Sequence, residues 1–281
     1  MPVVNNPLLK KEFRQRMRTN RAPVVLTGYL VSMVLLTFFL LYENVQGQFV
    51  LFQPSRSEQV FVTLSLLQMT VAAFLTPAFA GSSISGERER RTLAKMLTTT
   101  LSPLEILAGK VLSSSALLIL LLVITLPLYS LVFLFGGAVP QEVLAVFGFQ
   151  LLAIVLIASL SVMWSTLLLR SGWSTVMSYA TVVWMTVFSG VIGYGLQMVY
   201  KLYPIEFFAS TWGQWLLSLN PLWIEASLEN YVQAAPHAWL IFIAFYSLLL
   251  IVLTVASVWR LRPQSLRFLP RKMRGEEGDY Q

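Results

Sequence analysis

The 281-residue sequence contains no cysteine, one histidine and few charged residues. The absence of cysteine excludes a disulfide framework, thiolate metal ligands and a cysteine nucleophile. Charged residues make up 12% of the chain, which is about half the share of a soluble globular domain. Hydrophobic residues make up 56%. A surface so poor in charge would not keep the protein in solution, so the composition indicates a membrane-embedded chain.

Long stretches without charge predict the membrane spans. A helix that crosses the hydrocarbon core needs about 20 apolar residues, and six gaps between successive charges are long enough. They predict spans at about 22–42, 59–81, 108–135, 143–169, 174–200 and 238–259. The runs are continuously apolar rather than alternating, which predicts helices and not barrel strands. The expected fold class is an all-α integral membrane protein, with residues 1–281 as a single transmembrane domain.

Basic residues are distributed very unevenly between these spans. Of the 20 Lys and Arg, 18 fall on one side and only Arg56 and Lys201 on the other. The positive-inside rule therefore predicts that both termini, including the tail at 260–281, lie in the cytoplasm. None of the six gaps contains Asp, Glu, Lys, Arg or His, so we expect no chain of buried carboxylates or histidines of the kind found in proton relays.

The N-terminal arm, residues 1–21, has the pattern of an amphipathic helix at the membrane surface. Asn6-Pro7 predicts an N-cap followed by proline at the first helical position. Apolar residues then repeat at helical spacing beside a basic face. The residues expected at this interface are Lys10, Phe13, Arg14, Met17 and Arg18. The alternative is an anchor for anionic lipids that has no protein partner.

Residues 85–105, which we call the elbow, connect the second and third spans. Glu87 and Arg91 have the i,i+4 spacing of a helical ion pair, which predicts a short amphipathic helix over 87–97. Ser102-Pro103-Leu104-Glu105 is a capping box, with proline at the first helical position. It predicts a new helix that runs through Lys110 into the third span.

The string ISGERERRTLAKMLTTTLSPLEILAGK at 84–110 resembles the loop between the second and third helices of type-2 ATP-binding cassette (ABC-2) transporter permeases. It departs from the common pattern at Lys95, where an acidic residue is frequent, and at Thr100-Leu101, where Thr-Pro is frequent. The NPLLKKEFRQRMR arm and the string SLNPLWIEASLENY, which ends at Tyr231, extend the resemblance.

The resemblance implies that the elbow is a coupling helix that docks on a separate ATPase subunit, and that a second permease chain, identical or related, completes one translocation path. The residues implied in coupling are Gly86, Glu87, Arg88, Arg91, Thr92, Leu93, Met96, Ser102, Pro103 and Glu105. No Gly-x-x-x-x-Gly-Lys-Ser/Thr loop occurs, so we expect ATP and Mg to be bound by the partner, with no catalytic, cofactor or metal site in this chain. The single histidine, His237, is interpreted as an interfacial residue.

The stretch 201–236, which we call the outer segment, contains apolar blocks too short to span. The resemblance implies re-entrant or interfacial helices there, whereas composition alone also allows a loop rich in Trp and Tyr. We expect Glu206, Glu225 and Glu229 to be solvated. The uncharged spans favour export of an apolar or amphipathic cargo. The alternative is a non-transporting anchor that transmits ATPase strokes to an outer partner, while an intramembrane hydrolase lacks the necessary nucleophiles and bases.

Overall fold

The computed structural model describes residues 21–45, 54–93, 102–134, 139–202 and 207–261, and within these ranges the chain forms helices and turns without a β-strand. The all-α prediction is therefore confirmed for the described residues. Several predicted features lie outside them: the arm with Lys10, Phe13, Arg14, Met17 and Arg18, the tail from 262, Lys95, Met96 and Glu206.

The described residues form helices in the following order. They are α1 (Arg21–Val45), α2 (Pro54–Ala80), α3 (Ser85–Glu89), α4 (Pro103–Leu134), α5 (Pro140–Leu167), α6 (Ser171–Val183), the π-helix π1 (Trp184–Phe188), α7 (Ser189–Leu202), α8 (Phe207–Ser218), α9 (Pro221–Leu228) and α10 (Ala238–Leu261). The elements α6, π1 and α7 form one continuous helix.

Five helical segments among the described residues are long and apolar enough to cross a membrane. They are Glu58–Glu89, Pro103–Ser130, Pro140–Leu167, Ser171–Leu202 and Ala238–Leu261. They correspond to five of the six spans expected from the charge gaps. In α1 the apolar stretch Leu26–Tyr42 is shorter, so the six-span plan stays a prediction.

Helix α5 forms the centre of the fold and contacts α2, α4, α6, α9 and α10. Its buried side chains divide between two hydrophobic clusters: Phe149 and Ile157 belong to one, whereas Val146 and Ile154 belong to the other. Because Ala153 and Ala158 are small and fully buried, neighbouring helices can approach α5 closely. Helix α5 is thus packed on several sides, and its C-terminal end leads into the turn described below.

Helices α7 and α8 approach each other closely through a pair of glycines. A Cβ on Gly193 would lie 2.8 Å from Cγ of Leu217 and 3.1 Å from the carbonyl oxygen of Gly213, and a Cβ on Gly213 would lie 3.0 Å from the carbonyl oxygen of Gly193. Backbone atoms cannot move aside as a flexible side chain can. Glycine is therefore needed at both positions to bring the two helices together.

This contact gives a prediction with a control on the same helix. Gly193→Ala should lower the free energy of unfolding by about 1–3 kcal/mol, because the added methyl overpacks a backbone contact. Gly195→Ala should be neutral or stabilising by up to about 1 kcal/mol, since nothing lies within 4 Å of a Cβ there. Thermal unfolding of both variants in detergent tests the difference. Equal melting temperatures would contradict the close approach.

Candidate functional site

The elbow begins with a short helix that ends sooner than the sequence pattern predicts. Helix α3 ends at Glu89, and Arg91 has a left-handed backbone with φ of 57°. The N–H of Thr92 donates to the carbonyl oxygen of Glu87 at 2.9 Å, and the N–H of Arg91 donates to that of Arg88 at 3.0 Å. This pair of bonds is a Schellman motif, which terminates a helix. The predicted continuous helix over 87–97 is therefore wrong, because the backbone reverses at 90–92.

The same turn changes the partner of Glu87. The predicted i,i+4 pair with Arg91 does not form, because Arg91 lies beyond the helix end and is exposed. The carboxylate of Glu87 instead lies 3.5 Å from Nζ of the buried Lys110 on α4 and accepts a hydrogen bond from the Thr92 hydroxyl. Glu87 therefore joins the two sides of the elbow rather than forming part of a charged surface.

Two adjacent side chains of opposite charge connect α3 to the turn between α5 and α6. The guanidinium of Arg88 donates to the carbonyl oxygens of Leu168 at 2.9 Å and Thr166 at 3.2 Å, at the C-terminal end of α5. The carboxylate of Glu89 accepts from the backbone N–H and the hydroxyl of Ser171, at 2.7 and 2.6 Å, where α6 begins. Each charge has the sign that the helix end favours and satisfies backbone groups that have no partner within the helix.

A buried group of serines lies directly behind this charged pair. The hydroxyl of Ser85 is 3.0 Å from that of Ser165 on α5 and 2.7 Å from that of Ser174 on α6. Oγ of Ser165 accepts the N–H groups of Ile84 and Ser85, and the Ser174 hydroxyl donates to the carbonyl oxygen of Gly81 at 2.7 Å. The start of the elbow is therefore bonded to both helices of the neighbouring turn.

The second half of the elbow agrees with the sequence prediction. Oε2 of Glu105 accepts from the N–H and the hydroxyl of Ser102 at 2.8 and 3.0 Å, and the N–H of Glu105 donates to the Ser102 hydroxyl at 3.3 Å. Helix α4 begins at Pro103. The predicted capping box and helix start are confirmed.

The structure divides the predicted coupling residues into two groups. Gly86, Glu87 and Arg88 are half-buried and Leu93 is buried, so they lie between the elbow and the bundle. Arg91, Thr92 and Ser102 are exposed, while Pro103 and Glu105 are half-exposed beside them. Sequence reasoning missed Ser85, Glu89, Arg90 and Leu104, of which the last three are exposed. The partners of Ser85 and Glu89 lie about 80 residues away in sequence, and no local pattern identifies them.

At the other end of the bundle, Asn220 connects the outer segment to the π-helix. Its Oδ1 accepts from the N–H groups of Leu222 at 2.9 Å and Trp223 at 3.4 Å, which caps α9. Its Nδ2 donates to the carbonyl oxygen of Thr186 in π1 at 2.8 Å. A π-turn leaves carbonyl groups without their usual partner. Asn220 supplies one such partner from another helix.

Two glutamates are also buried, one on α9 and one directly after its last residue. Glu225 is 0% exposed and Glu229 is 2% exposed. Oε1 of Glu225 accepts from Nε2 of Gln150 on α5 at 2.6 Å, and the Ser65 hydroxyl on α2 donates to Glu229. The prediction that both are solvated is wrong, because α9 folds back against α2 and α5 and places this face inside the bundle.

Burial also changes the acidity of both groups, which lie outside the spanning helices. Loss of hydration raises the pKa of Glu229 to about 8, with a further increase from the carboxylate of Glu142 and an opposing effect from the Ser65 hydrogen bond. Loss of hydration likewise raises the pKa of Glu225 well above its usual range. The neighbouring Glu229 adds to that rise, and the hydrogen bond from Gln150 opposes it.

The fold is that of a polytopic helical membrane protein in which two spans are joined by an elbow bonded to a neighbouring turn. The sequence profile of the ABC-2 family transporter proteins matches residues 7–267, and the chain belongs to this family. It is therefore a membrane component of an ABC transporter, of the kind that works with an ATP-binding subunit. No curated protein matches the sequence closely enough to count as a relative.

Proposed function

We propose that this chain is the permease subunit of an ATP-driven exporter, and that the exposed part of its elbow docks on a separate ATP-binding subunit. That partner would bind ATP and Mg, and this chain would have no ATPase site of its own. The elbow end of the bundle and both termini would face the cytoplasm of the cell membrane. A second permease chain, identical or related, would complete the translocation path.

The observation that carries this proposal is the bonding between the elbow and the turn that joins α5 to α6. Arg88 and Glu89 connect α3 to both helix ends of that turn, and Glu87 connects it to Lys110 at the start of α4. A push on α3 would therefore move α4, α5 and α6 together. Rigid-body movement of this kind is how a docked partner can change the arrangement of packed helices.

The surface available to the partner is the part of the elbow that does not contact the bundle. Arg90, Arg91 and Thr92 are exposed at the turn, and Leu104 is 55% exposed at the start of α4. Two exposed guanidinium groups favour an acidic partner surface, and an exposed leucine on the same elbow favours an apolar contact with it.

The cargo proposal rests on the composition of the spans. The apolar helices carry no charged residue in their central parts, so a path between them offers no fixed charge to a bare ion. An apolar or amphipathic cargo fits such a path better. In the described part of the outer segment we find only the short helices α8 and α9, which favours transport over the alternative of an anchor that grips an outer partner.

Reversing the charge of the exposed turn tests the docking proposal. Arg90→Glu combined with Arg91→Glu should reduce the affinity for the ATP-binding subunit by about tenfold or more, because like charges at an interface cost several kcal/mol. The measurement is the amount of native ATP-binding subunit that copurifies with the tagged permease. Lys201→Glu is the matched control, because Lys201 is an exposed basic residue at the opposite end of the bundle. Equal recovery from the double variant and the control would overturn the proposal.

A further inference from the structure

The buried glutamates of α9 belong to a polar cluster with more hydrogen-bond acceptors than donors. Nε2 of Gln150 donates to Glu225 and to the carbonyl oxygen of Ser65, whose hydroxyl donates to Glu229. Three buried acceptors then have no donor: Oε2 of Glu225, Oε2 of Glu229 and Oε1 of Gln150. Gln150 is itself only 1% exposed, and its amide points into the cluster. Each proton added to a carboxyl would convert one acceptor into a donor.

A second glutamine lies in the neighbouring part of the cluster. Oε1 of Gln68 accepts from the hydroxyls of Tyr129 at 2.6 Å and Thr125 at 3.2 Å, and its Nε2 has no partner. This amide has two N–H donors, but neither of them bonds to the three acceptors in this structure. The surplus of acceptors therefore persists unless the carboxyls carry protons.

The titratable groups around the two glutamates are themselves acids, so none of them can supply a positive charge to balance a carboxylate. Those on the packed elements are Tyr129 on α4, Glu142 at the start of α5 and Tyr246 on α10, while Glu58 is exposed on α2. Helices α8 and π1 have no ionisable side chain. Among the described residues, no Lys, Arg or His forms an ion pair with Glu225 or Glu229. Two bare carboxylates in such a site would each cost several kcal/mol of desolvation.

We propose that Glu225 and Glu229 form a proton-binding site that holds α9 in its buried position against α2 and α5. A metal cation is the other way to neutralise the pair, but the described residues offer two carboxyls and one free amide oxygen. Calcium takes about six or more oxygen ligands, and no group of three or more potential metal-binding His, Cys, Asp or Glu side chains occurs in the described residues. If the two carboxyl groups lost their protons, the two negative charges would favour release of α9 from the bundle.

The full-length chain in detergent or nanodiscs provides the first test, which needs no ATP-binding subunit and is therefore independent of the proposed function. Infrared difference spectra between pH 6 and pH 10 should contain a carbonyl band of protonated carboxyl groups, and the part of it that comes from Glu229 should disappear with a midpoint near 8. That band should lose intensity in Glu229→Gln and Glu225→Gln and persist in Glu58→Gln. A wild-type spectrum in which all carboxyls have ionised below pH 6 would overturn the proposal whether or not the variants fold.

Thermal unfolding of the same samples gives the second test. A carboxyl whose pKa rises on folding from 4.5 to about 8 binds more protons in the folded state, so stability falls as the pH rises across that window. We expect the melting temperature of the wild type to fall between pH 5 and pH 9. Glu229→Gln, which has the shape of the neutral carboxyl, should weaken that dependence, and Glu58→Gln should leave it intact. If Ca²⁺ or Na⁺ raised the melting temperature of the wild type at constant pH but not that of Glu225→Gln, the site would bind a metal cation and the proposal would be wrong.

Discussion

Arg88→Ala should abolish most transport while leaving the ATP-binding subunit bound. Arg88 contacts the end of α5 and not the exposed turn, so the docking surface is retained. The substitution removes two hydrogen bonds from a charged donor, each worth about 1.5–3 kcal/mol. It also leaves the carbonyl groups of Thr166 and Leu168 without those partners. A push on the elbow would then reach α5 and α6 only through the remaining bonds of Ser85 and Glu89, and with less precision.

Spin labels placed on either side of this contact measure directly whether the elbow and α6 are still held at a fixed distance. Arg90 and Trp173 are exposed, so cysteines can be introduced at both positions of this cysteine-free chain. The distance distribution between the labels should be narrow in the parent and broad in Arg88→Ala. ATP-dependent movement of a fluorescent amphipathic probe across proteoliposomes should fall about tenfold or more, since each 1.4 kcal/mol corresponds to a factor of ten.

Two controls test whether the effect of Arg88→Ala comes from the lost hydrogen bonds. One keeps the positive charge at position 88, and the other removes a positive charge from a neighbouring position. Arg88→Lys keeps the charge but loses the planar pair of donors, so we expect an intermediate distribution. Arg91→Asn removes an exposed neighbouring arginine, keeps a residue that tolerates the left-handed backbone there, and should leave the distribution narrow. Unchanged transport in Arg88→Ala would show that the elbow moves the bundle through other contacts.

Asn220→Ala should destabilise the protein by about 2–4 kcal/mol, the largest effect that we expect from any single truncation in the outer segment. The change removes the N-cap of α9, worth about 0.5–2 kcal/mol. It also leaves the carbonyl of Thr186 without its donor, which costs about 1–3 kcal/mol when buried. Denaturant unfolding in mixed micelles, followed by circular dichroism, measures the sum.

Asn220→Ser divides the two contributions. Serine is a good N-cap, but its hydroxyl lacks the second arm that reaches π1. Asn220→Ser should therefore recover about half of the free energy of unfolding that Asn220→Ala loses. If Asn220→Ser were as stable as the wild type, the bond to Thr186 would contribute nothing. If the free energy of unfolding of Asn220→Ala were within about 0.5 kcal/mol of the wild-type value, the cap would also be dispensable.

The features that sequence reasoning recovered are those set by local patterns. Continuous apolar runs identified five of the six predicted spans, because a helix needs about 20 apolar residues to cross the hydrocarbon core. The capping box at Ser102 and Glu105 was found because its two members are three residues apart and bond to each other.

The features that it missed depend on contacts between distant parts of the chain. Glu225 lies on a helix of eight residues and Glu229 directly follows it. The helix is too short for a span, so both were expected in solvent. Their partners Gln150 and Ser65 come from helices 75 and 164 residues away. The end of α3 was missed because helices usually use glycine for a left-handed residue at this position, and here that residue is Arg91.

The π-helix changes which way the buried side chains point in the two halves of the continuous helix Ser171–Leu202. An α-helix advances about 100° per residue, so a buried stripe that repeats every four residues drifts around the axis by about 40° at each step. The buried residues Ser174, Ser178 and Val182 follow this four-residue repeat. The wider turn at Trp184–Phe188 uses more residues per turn and so reverses part of the drift. Ser189 and Gly193 therefore return to the inner side of the helix, and the same helix can face the elbow at one end and the outer segment at the other.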